Sequence, residues 1–305
     1  MKDLIIAGAG PAGLTAAIYA ARGGLDVTVI ERAFAGGQMA ASNVIENYPG
    51  YENETSGAAI ANSMKLQALR MGAQIENGEI TSLELSGNIK RIVTSKKEYE
   101  AKAVILAMGA EPRQIGIEGE KRLAGSGVSY CATCDGAFFR NKVTAVVGGG
   151  NTAIEDALYL AKLCTGVHLV HRRMAFRAQR ILVEKVIKTD NITLHQPYLP
   201  ARVTGEYAAD GFIIKHAESG TEKKLDVSGV FFAVGTIPKT ALLEGRVKTD
   251  EAGYIIADES CKTNLPGVFC AGDIRSKRLR QIVTATADGA MAATAAEEYI
   301  YTASG

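Results

Sequence analysis

The chain has 305 residues, a formal charge of +1, 33 glycines and five cysteines. That charge excludes the footprint of a nucleic-acid or anionic-membrane binder, and no apolar run approaches the roughly 20 residues of a membrane span. With 47% hydrophobic residues it is neither low-complexity nor a disulfide scaffold, and about 150 residues per domain suggests two domains. The chain opens on a short apolar strand, Leu4–Ala7, without the longer apolar stretch and cleavage site of a secretory signal. A cytoplasmic protein is expected.

That strand runs into Gly8-Ala9-Gly10-Pro11-Ala12-Gly13, followed by a helical pattern over Leu14–Arg22 and a second strand, Val27–Ile30. This is a βαβ start with a dinucleotide fingerprint in its first turn. Glycines there permit the tight turn and let backbone N–H groups approach a pyrophosphate, while the helix N-terminus adds partial positive charge. The second strand ends in Glu31. A carboxylate at this place accepts hydrogen bonds from ribose hydroxyls, so an adenosine without a 2′-phosphate is expected.

The unit recurs at an offset of 140 without a gap. Val143–Val147 reads as a strand, Gly148-Gly149-Gly150-Asn151-Thr152-Ala153 as the turn, Ile154–Leu163 as the helix and Val167–Val170 as the second strand. One such motif is a weak signal; two in register, each flanked by strand and helix patterns, are a strong one. Here the second strand ends in His171-Arg172-Arg173, with Arg177 one turn on. An arginine cluster suits a 2′-phosphate, so NADP(H) is expected at this second site.

After each βαβ start a β-rich stretch leads to an apolar strand with a similar ending, Val104 to Pro112 and Val230 to Pro238. Each is expected to close one nucleotide-binding sheet. The last 65 or so residues hold a strand, Gly267–Ala271, the pair Gly272-Asp273 and an alanine-rich helix over about 284–301. They are too few for a third domain and are expected to fold back onto the first. The fold class is therefore α/β: two Rossmann-like three-layer nucleotide-binding domains, the second (113–240) inserted into the first (1–112 plus 241–305). The two crossings make a natural hinge.

Cys131-Ala132-Thr133-Cys134-Asp135 precedes the strand of the second repeat. A zinc site needs two more ligands, and Cys164, Cys261 and Cys270 are scattered; no metal is expected. A structural disulfide is unfavoured in a reducing compartment. A redox dithiol remains, with Asp135 either its general acid or a plain turn cap. Nicotinamide commonly reduces a disulfide through a flavin, so two nucleotide folds of different ribose preference with a CxxC point to FAD, NADPH and a dithiol.

Across essentially its whole length the sequence resembles the low-molecular-weight thioredoxin reductases. The resemblance rests on GAGPAG at 8–13, GGQ at 36–38, ENYPG at 46–50, CATCDG at 131–136, GGGNTA at 148–153, HRRMAFRAQ at 171–179, AGD at 271–273 and RQIVTA at 280–285. It implies FAD on the first glycine turn, on Glu31, Arg32, Gly37 and Gln38, on Asn47, and on the segment from Gly272 and Asp273 to Arg280, Gln281 and Ile282. It implies NADPH on Gly148, Gly150, Asn151, Thr152 and Ala153, with His171, Arg172, Arg173 and Arg177 at the phosphate. Cys134 would lie nearer the flavin, Cys131 would attack a thioredoxin disulfide, and Asp135 would be the acid–base. A homodimer whose domains rotate against each other is implied too. A glutaredoxin-like protein or a small dithiol as substrate stays open. So do two local questions: whether Phe138 and Phe139 dock a partner or fill the core, and whether Arg275–Arg280 serves the flavin or is a solvated basic loop.

Overall fold

The computed structural model describes residues 1–42, 44–53, 55–243 and 245–303. In chain order the elements are β1 (Lys2–Ala7), α1 (Pro11–Arg22), β2 (Val27–Glu31), α2 (Gly57–Arg70), β3 (Gln74–Asn77), β4 (Ile80–Glu84), β5 (Lys90–Thr94), β6 (Glu98–Leu106) and β7 (Ala110–Pro112). Next come β8 (Val128–Ser129), α3 (Ala132–Asp135), β9 (Val143–Val147), α4 (Asn151–Ala161), β10 (Gly166–Val170), α5 (Arg180–Ile187), β11 (Ile192–His195), β12 (Tyr198–Thr204), β13 (Gly211–His216) and β14 (Glu222–Leu225). The chain ends with β15 (Gly229–Phe232), β16 (Thr236–Pro238), β17 (Val268–Cys270) and α6 (Ile282–Ala303). It divides into two compact units, residues 1–111 with 237–305, and residues 112–236.

In the first unit β1 pairs in parallel with β2 and β6, and β17 returns from the tail to lie parallel against β6. β3 extends the sheet beyond β2, while β5 and β4 add antiparallel beyond β6. Residues Leu4–Ala7 are wholly buried, as a parallel strand covered on both faces requires. On one face Leu4, Ile6 and Val29 pack beneath α1, α2 and α6. The α1 and α6 helices meet through small residues, among them Ala16, Ala20, Ala292 and Ala296, all buried. On the other face Ile5, Ile30, Val104 and Leu106 meet Leu83 and Ile92, with Leu243, Val247 and Ile255 of the tail. Leu14 illustrates the stakes: fully buried at the start of α1, it would cost about 2–5 kcal/mol if cut to alanine.

The second unit repeats the plan with a five-stranded parallel sheet in the order β11-β10-β9-β15-β8. Its helical side buries Ile154, Ala157 and Leu160 of α4 against Val146, Leu169 and Phe231. The antiparallel sheet β12-β13-β14 covers the other side through Phe212, Ile214 and Leu225. The repeat in sequence is thus a repeat in structure, β1-α1-β2 matching β9-α4-β10. One expectation needs correction: neither glycine-ended strand closes its sheet. β6 pairs with β1, β5 and β17, and β15 lies between β9 and β8. The tail supplies β17 from far along the chain, and β8 is two residues long, too short for a periodic signal.

Candidate functional site

The first glycine turn joins β1 to α1. Gly10 has extended backbone and caps α1, and Pro11 opens the helix at a position where a missing N–H costs nothing. A side chain at Gly13 would meet the Gly8 carbonyl at 1.9 Å, whereas one at Gly10 would meet nothing within 4 Å. The turn is therefore closed toward the sheet and open on the other side, a cradle that an elongated phosphate group can approach. Ala12 is buried beside it. Glu31 ends β2, its carboxylate accepting from Ala9 N–H at 2.8 Å and Ala33 N–H at 3.0 Å. Gly36 N–H donates to Ala9 at 2.7 Å, drawing the Gly36-Gly37 bend onto the same turn. Gln38 donates to the Ala110 carbonyl. Arg32 is exposed, near Glu111.

The far end of the sequence joins this place. Asn47 donates to Gln281 Oε1 at 3.1 Å. A side chain at Gly272 would lie 2.8 Å from Ala12 Cβ, so the Gly272-Asp273 turn is packed on the start of α1. Asp273 Oδ1 is buried without a hydrogen-bond partner, and burial pushes its carboxyl up. A buried carboxylate oxygen without a partner is able to accept a hydrogen bond from a bound group. Arg280 stacks on Tyr254, 3.9 Å from the ring centre, and its Nε points to the Asp273 carbonyl at 3.4 Å. Ile282 begins α6.

The Arg275–Arg280 stretch is neither wholly solvated nor wholly turned to a ligand. Arg275 and Lys277 are mostly buried on Asp288, at 2.9 and 2.8 Å, and Asp288 also accepts from Gly272 N–H at 3.0 Å. Arg278 is exposed. Sequence reasoning missed Asp288, because an acid inside an alanine-rich helix carries no motif.

The second glycine turn joins β9 to α4, with Gly150 capping the helix and Ala153 buried behind it. As at Gly10, nothing lies within 4 Å of a side chain built at Gly150. Asn151 Oδ1 accepts from Gln179 N–H at 2.8 Å, and Arg177 N–H donates to the Gly149 carbonyl at 2.8 Å. These bonds tie the 171–179 loop to the turn, beside Thr152 in the first turn of α4. His171 is only 6% exposed. Its ring stacks on Phe176 and fills the space where a side chain at Gly149 would stand, 2.2 Å away. Burial, and with it the charge of the neighbouring arginines, lowers the pKa of that imidazole, against the opposing hydrogen bond with the Ala175 carbonyl. Arg172, Arg173 and Arg177 are exposed, and among the described residues none of them is ion-paired. Three free guanidinium groups beside a helix start suit an anionic phosphate.

Cys131 and Cys134 form a disulfide at the start of α3, with an S–S distance of 2.07 Å. Cys131 is half-buried and Cys134 exposed. Asp135 is half-buried; burial raises its carboxyl, and a hydrogen bond from Ser129 opposes the rise. Glu120, 2% exposed, accepts from Ile115, Gly116 and Ile117 N–H and from the Tyr130 hydroxyl, bracing the segment before Cys131. Ser129, Glu120 and Tyr130 were not singled out from sequence, since no spacing rule marks them. Phe139 is 8% exposed and meets Phe231 edge-on, whereas Phe138 is 40% exposed. The core reading thus holds for Phe139 and leaves Phe138 at the surface. Cys164, Cys261 and Cys270 are buried free thiols.

A family model described as pyridine nucleotide-disulphide oxidoreductase matches residues 2–289. A thioredoxin reductase of Treponema pallidum (strain Nichols) is 44% identical over 300 residues, covering 98% of this chain and 97% of that one. One from Peptoclostridium acidaminophilum is 44% identical over 304 residues, covering 98% and 96%. The crystal structure of thioredoxin reductase from Streptococcus pyogenes MGAS5005 superposes with a TM-score of 0.94 at 40% identity, covering 99% of each chain. By fold, by its CxxC and by these relatives, the chain belongs to the pyridine nucleotide-disulphide oxidoreductases and, within them, to the low-molecular-weight thioredoxin reductases.

Proposed function

We propose that this chain reduces the disulfide of thioredoxin with electrons from NADPH, passed through FAD and the Cys131–Cys134 pair. The observation that carries the reading is a closed Cys131–Cys134 disulfide beside a half-buried Asp135, in the unit whose glycine turn is flanked by three unpaired arginines. In this reading residues 1–112 and 241–305 form the FAD-binding domain, and 113–240 the NADPH-binding domain that carries the dithiol. Supporting the FAD assignment are the open cradle at Gly10, the fixed Glu31 carboxylate and the orphaned Asp273 oxygen. FAD, when bound, supplies a carrier that takes two electrons from nicotinamide and passes them to a disulfide.

The protein's own residues then act as follows. Backbone amides of the two glycine turns bind phosphates, Glu31 accepts from ribose hydroxyls, and Arg172, Arg173 and Arg177 hold the 2′-phosphate. Once the pair is reduced, the Cys131 thiolate attacks one sulfur of the thioredoxin disulfide. A mixed disulfide forms, and the other thioredoxin sulfur leaves as a thiolate. The Cys134 thiolate next attacks Cys131 Sγ, releasing the second thioredoxin sulfur and restoring the Cys131–Cys134 bond. Asp135 moves the protons that these thiols lose and gain.

We also infer a cytoplasmic homodimer. The three buried free thiols fit a reducing compartment. On α1, α2 and α6, the exposed Tyr19 and Val283 line a cavity of about 400 Å³ together with Ile18, Tyr48 and Met64, a largely apolar face that a second copy could cover. The functional test is anaerobic addition of NADPH to the yellow protein, followed by a panel of thioredoxins, a glutaredoxin and small disulfides. NADPH should bleach the flavin and be consumed with a thioredoxin. Consumption only with glutaredoxin or a small disulfide would overturn the substrate, and colourless protein that rejects FAD would overturn the whole reading.

A further inference from the structure

Ser129 ends β8, two residues before Cys131, and is 5% exposed. Its side chain turns back over the start of α3. Cys131 N–H donates to Ser129 Oγ at 3.1 Å, and the Ser129 hydroxyl lies 2.6 Å from Asp135 Oδ2. That hydroxyl has one proton and a second possible acceptor, the Cys131 carbonyl at 3.3 Å. The shorter contact to a carboxylate is the stronger bond, so the proton goes to Asp135. One hydroxyl thereby accepts from the backbone of the first cysteine and donates to the carboxyl beside the second.

Among the described residues, no other group donates to the Asp135 carboxylate. Asp156, Glu155 and Tyr159 lie on α4, which packs against α3; Tyr130 with Glu120 precedes the pair, and Arg140 and Lys142 follow Phe139. Burial raises the Asp135 carboxyl and the Ser129 bond lowers it.

We propose that Ser129 is a positioning residue of the dithiol centre, coupling the Cys131 backbone to the Asp135 carboxyl and fixing where that carboxyl gives and takes its proton. The inference rests on reading Cys131–Cys134 as the redox pair. A bare burial role would need only volume, whereas this role needs the hydroxyl.

The test uses the full-length flavoprotein, its pair reduced with NADPH or dithiothreitol, and the rate of iodoacetamide alkylation as a function of pH. In the wild-type protein the profile should carry an inflection that Asp135→Asn removes. Ser129→Ala should move that inflection up by about one to two pH units, since a hydrogen bond to a charged group is worth about 1.5–3 kcal/mol. Ser129→Thr should keep the wild-type position. Ser129→Val, matched to threonine in shape, should behave like Ser129→Ala and serves if the alanine variant fails to fold. An inflection that Asp135→Asn leaves in place, an unmoved Ser129→Val, or equal shifts in the threonine and valine variants would overturn the proposal. No thioredoxin enters this assay. A wild-type protein that shows the shifts yet fails to turn over thioredoxin would sink the substrate assignment and leave Ser129 standing. A pair that NADPH does not reduce, though dithiothreitol does, would sink the electron route alone.

Discussion

Arg275 Nη1 lies 2.9 Å from Asp288 Oδ1, both side chains largely withdrawn from water. The same carboxylate holds Lys277 and the Gly272 N–H, so one acid on α6 fixes the turn that presents Asp273. Removing one partner of a buried charged cluster costs about 3–5 kcal/mol. Asp288→Asn should lower stability by an amount of that order and release FAD more readily. Thermal unfolding, with the flavin retained through gel filtration, reads both. A variant with wild-type melting and flavin content would show that the turn stands without this cluster.

The three exposed arginines should separate the two nicotinamide cofactors. Replacing Arg172 and Arg173 with alanine removes two charged contacts to a 2′-phosphate, each worth about 1.5–3 kcal/mol. KM for NADPH should rise by roughly 100-fold or more, with KM for NADH little changed. Equal loss with both would rule out the phosphate role.

Cys134→Ser should abolish thioredoxin reduction and leave bound FAD untouched, because the mixed disulfide at Cys131 could no longer be resolved within the pair. Steady-state turnover and the visible spectrum check this. Appreciable turnover would refute the mechanism.

Asp156 on α4 offers a pH test independent of catalysis. Burial and the charge of Glu155 push its carboxyl up to about 7. A folded value above the unfolded one, about 3.9, means that the folded state holds this proton more tightly. That contribution is complete below pH ~4 and is lost as pH rises through about 7, a change on the order of a few kcal/mol. Asp156→Asn should flatten this loss, so its advantage in Tm over wild type should be larger at pH 8 than at pH 5. Parallel Tm-against-pH curves would contradict it.

The architecture was legible wherever local chemistry repeats. Two glycine turns 140 positions apart, each between a strand and a helix, marked the two Rossmann-like folds; the change from Glu31 to Arg172 and Arg173 is the ground on which different cofactors are proposed for them. What stayed hidden depends on contacts that no local pattern encodes. β8 is two residues long, so alternation could not announce it. Cys261 sits in a polar stretch yet is fully buried, its backbone left-handed at φ 64° and its thiol facing the Asp288 carbonyl. The polarity around it comes from the turn that places it there. Ser129 is an ordinary serine until the fold brings it to Asp135.

The first unit is built from both ends of the chain. Its α1 and α2 bury their inner faces against the sheet, but α1 also rests on α6, and β6 on β17. A ribosome delivers those last two elements only after residues 112–236 have emerged. Synthesis order and folding order are thereby inverted: the inserted unit can close first, while residues 1–111 wait with one side of α1 and the Val104–Leu106 edge of β6 uncovered. An arrested nascent chain that has emerged from the ribosome as far as about residue 240 should therefore protect β9 and α4 from protease before β1 and α1, the reverse of the N-terminal-first habit of tandem domains.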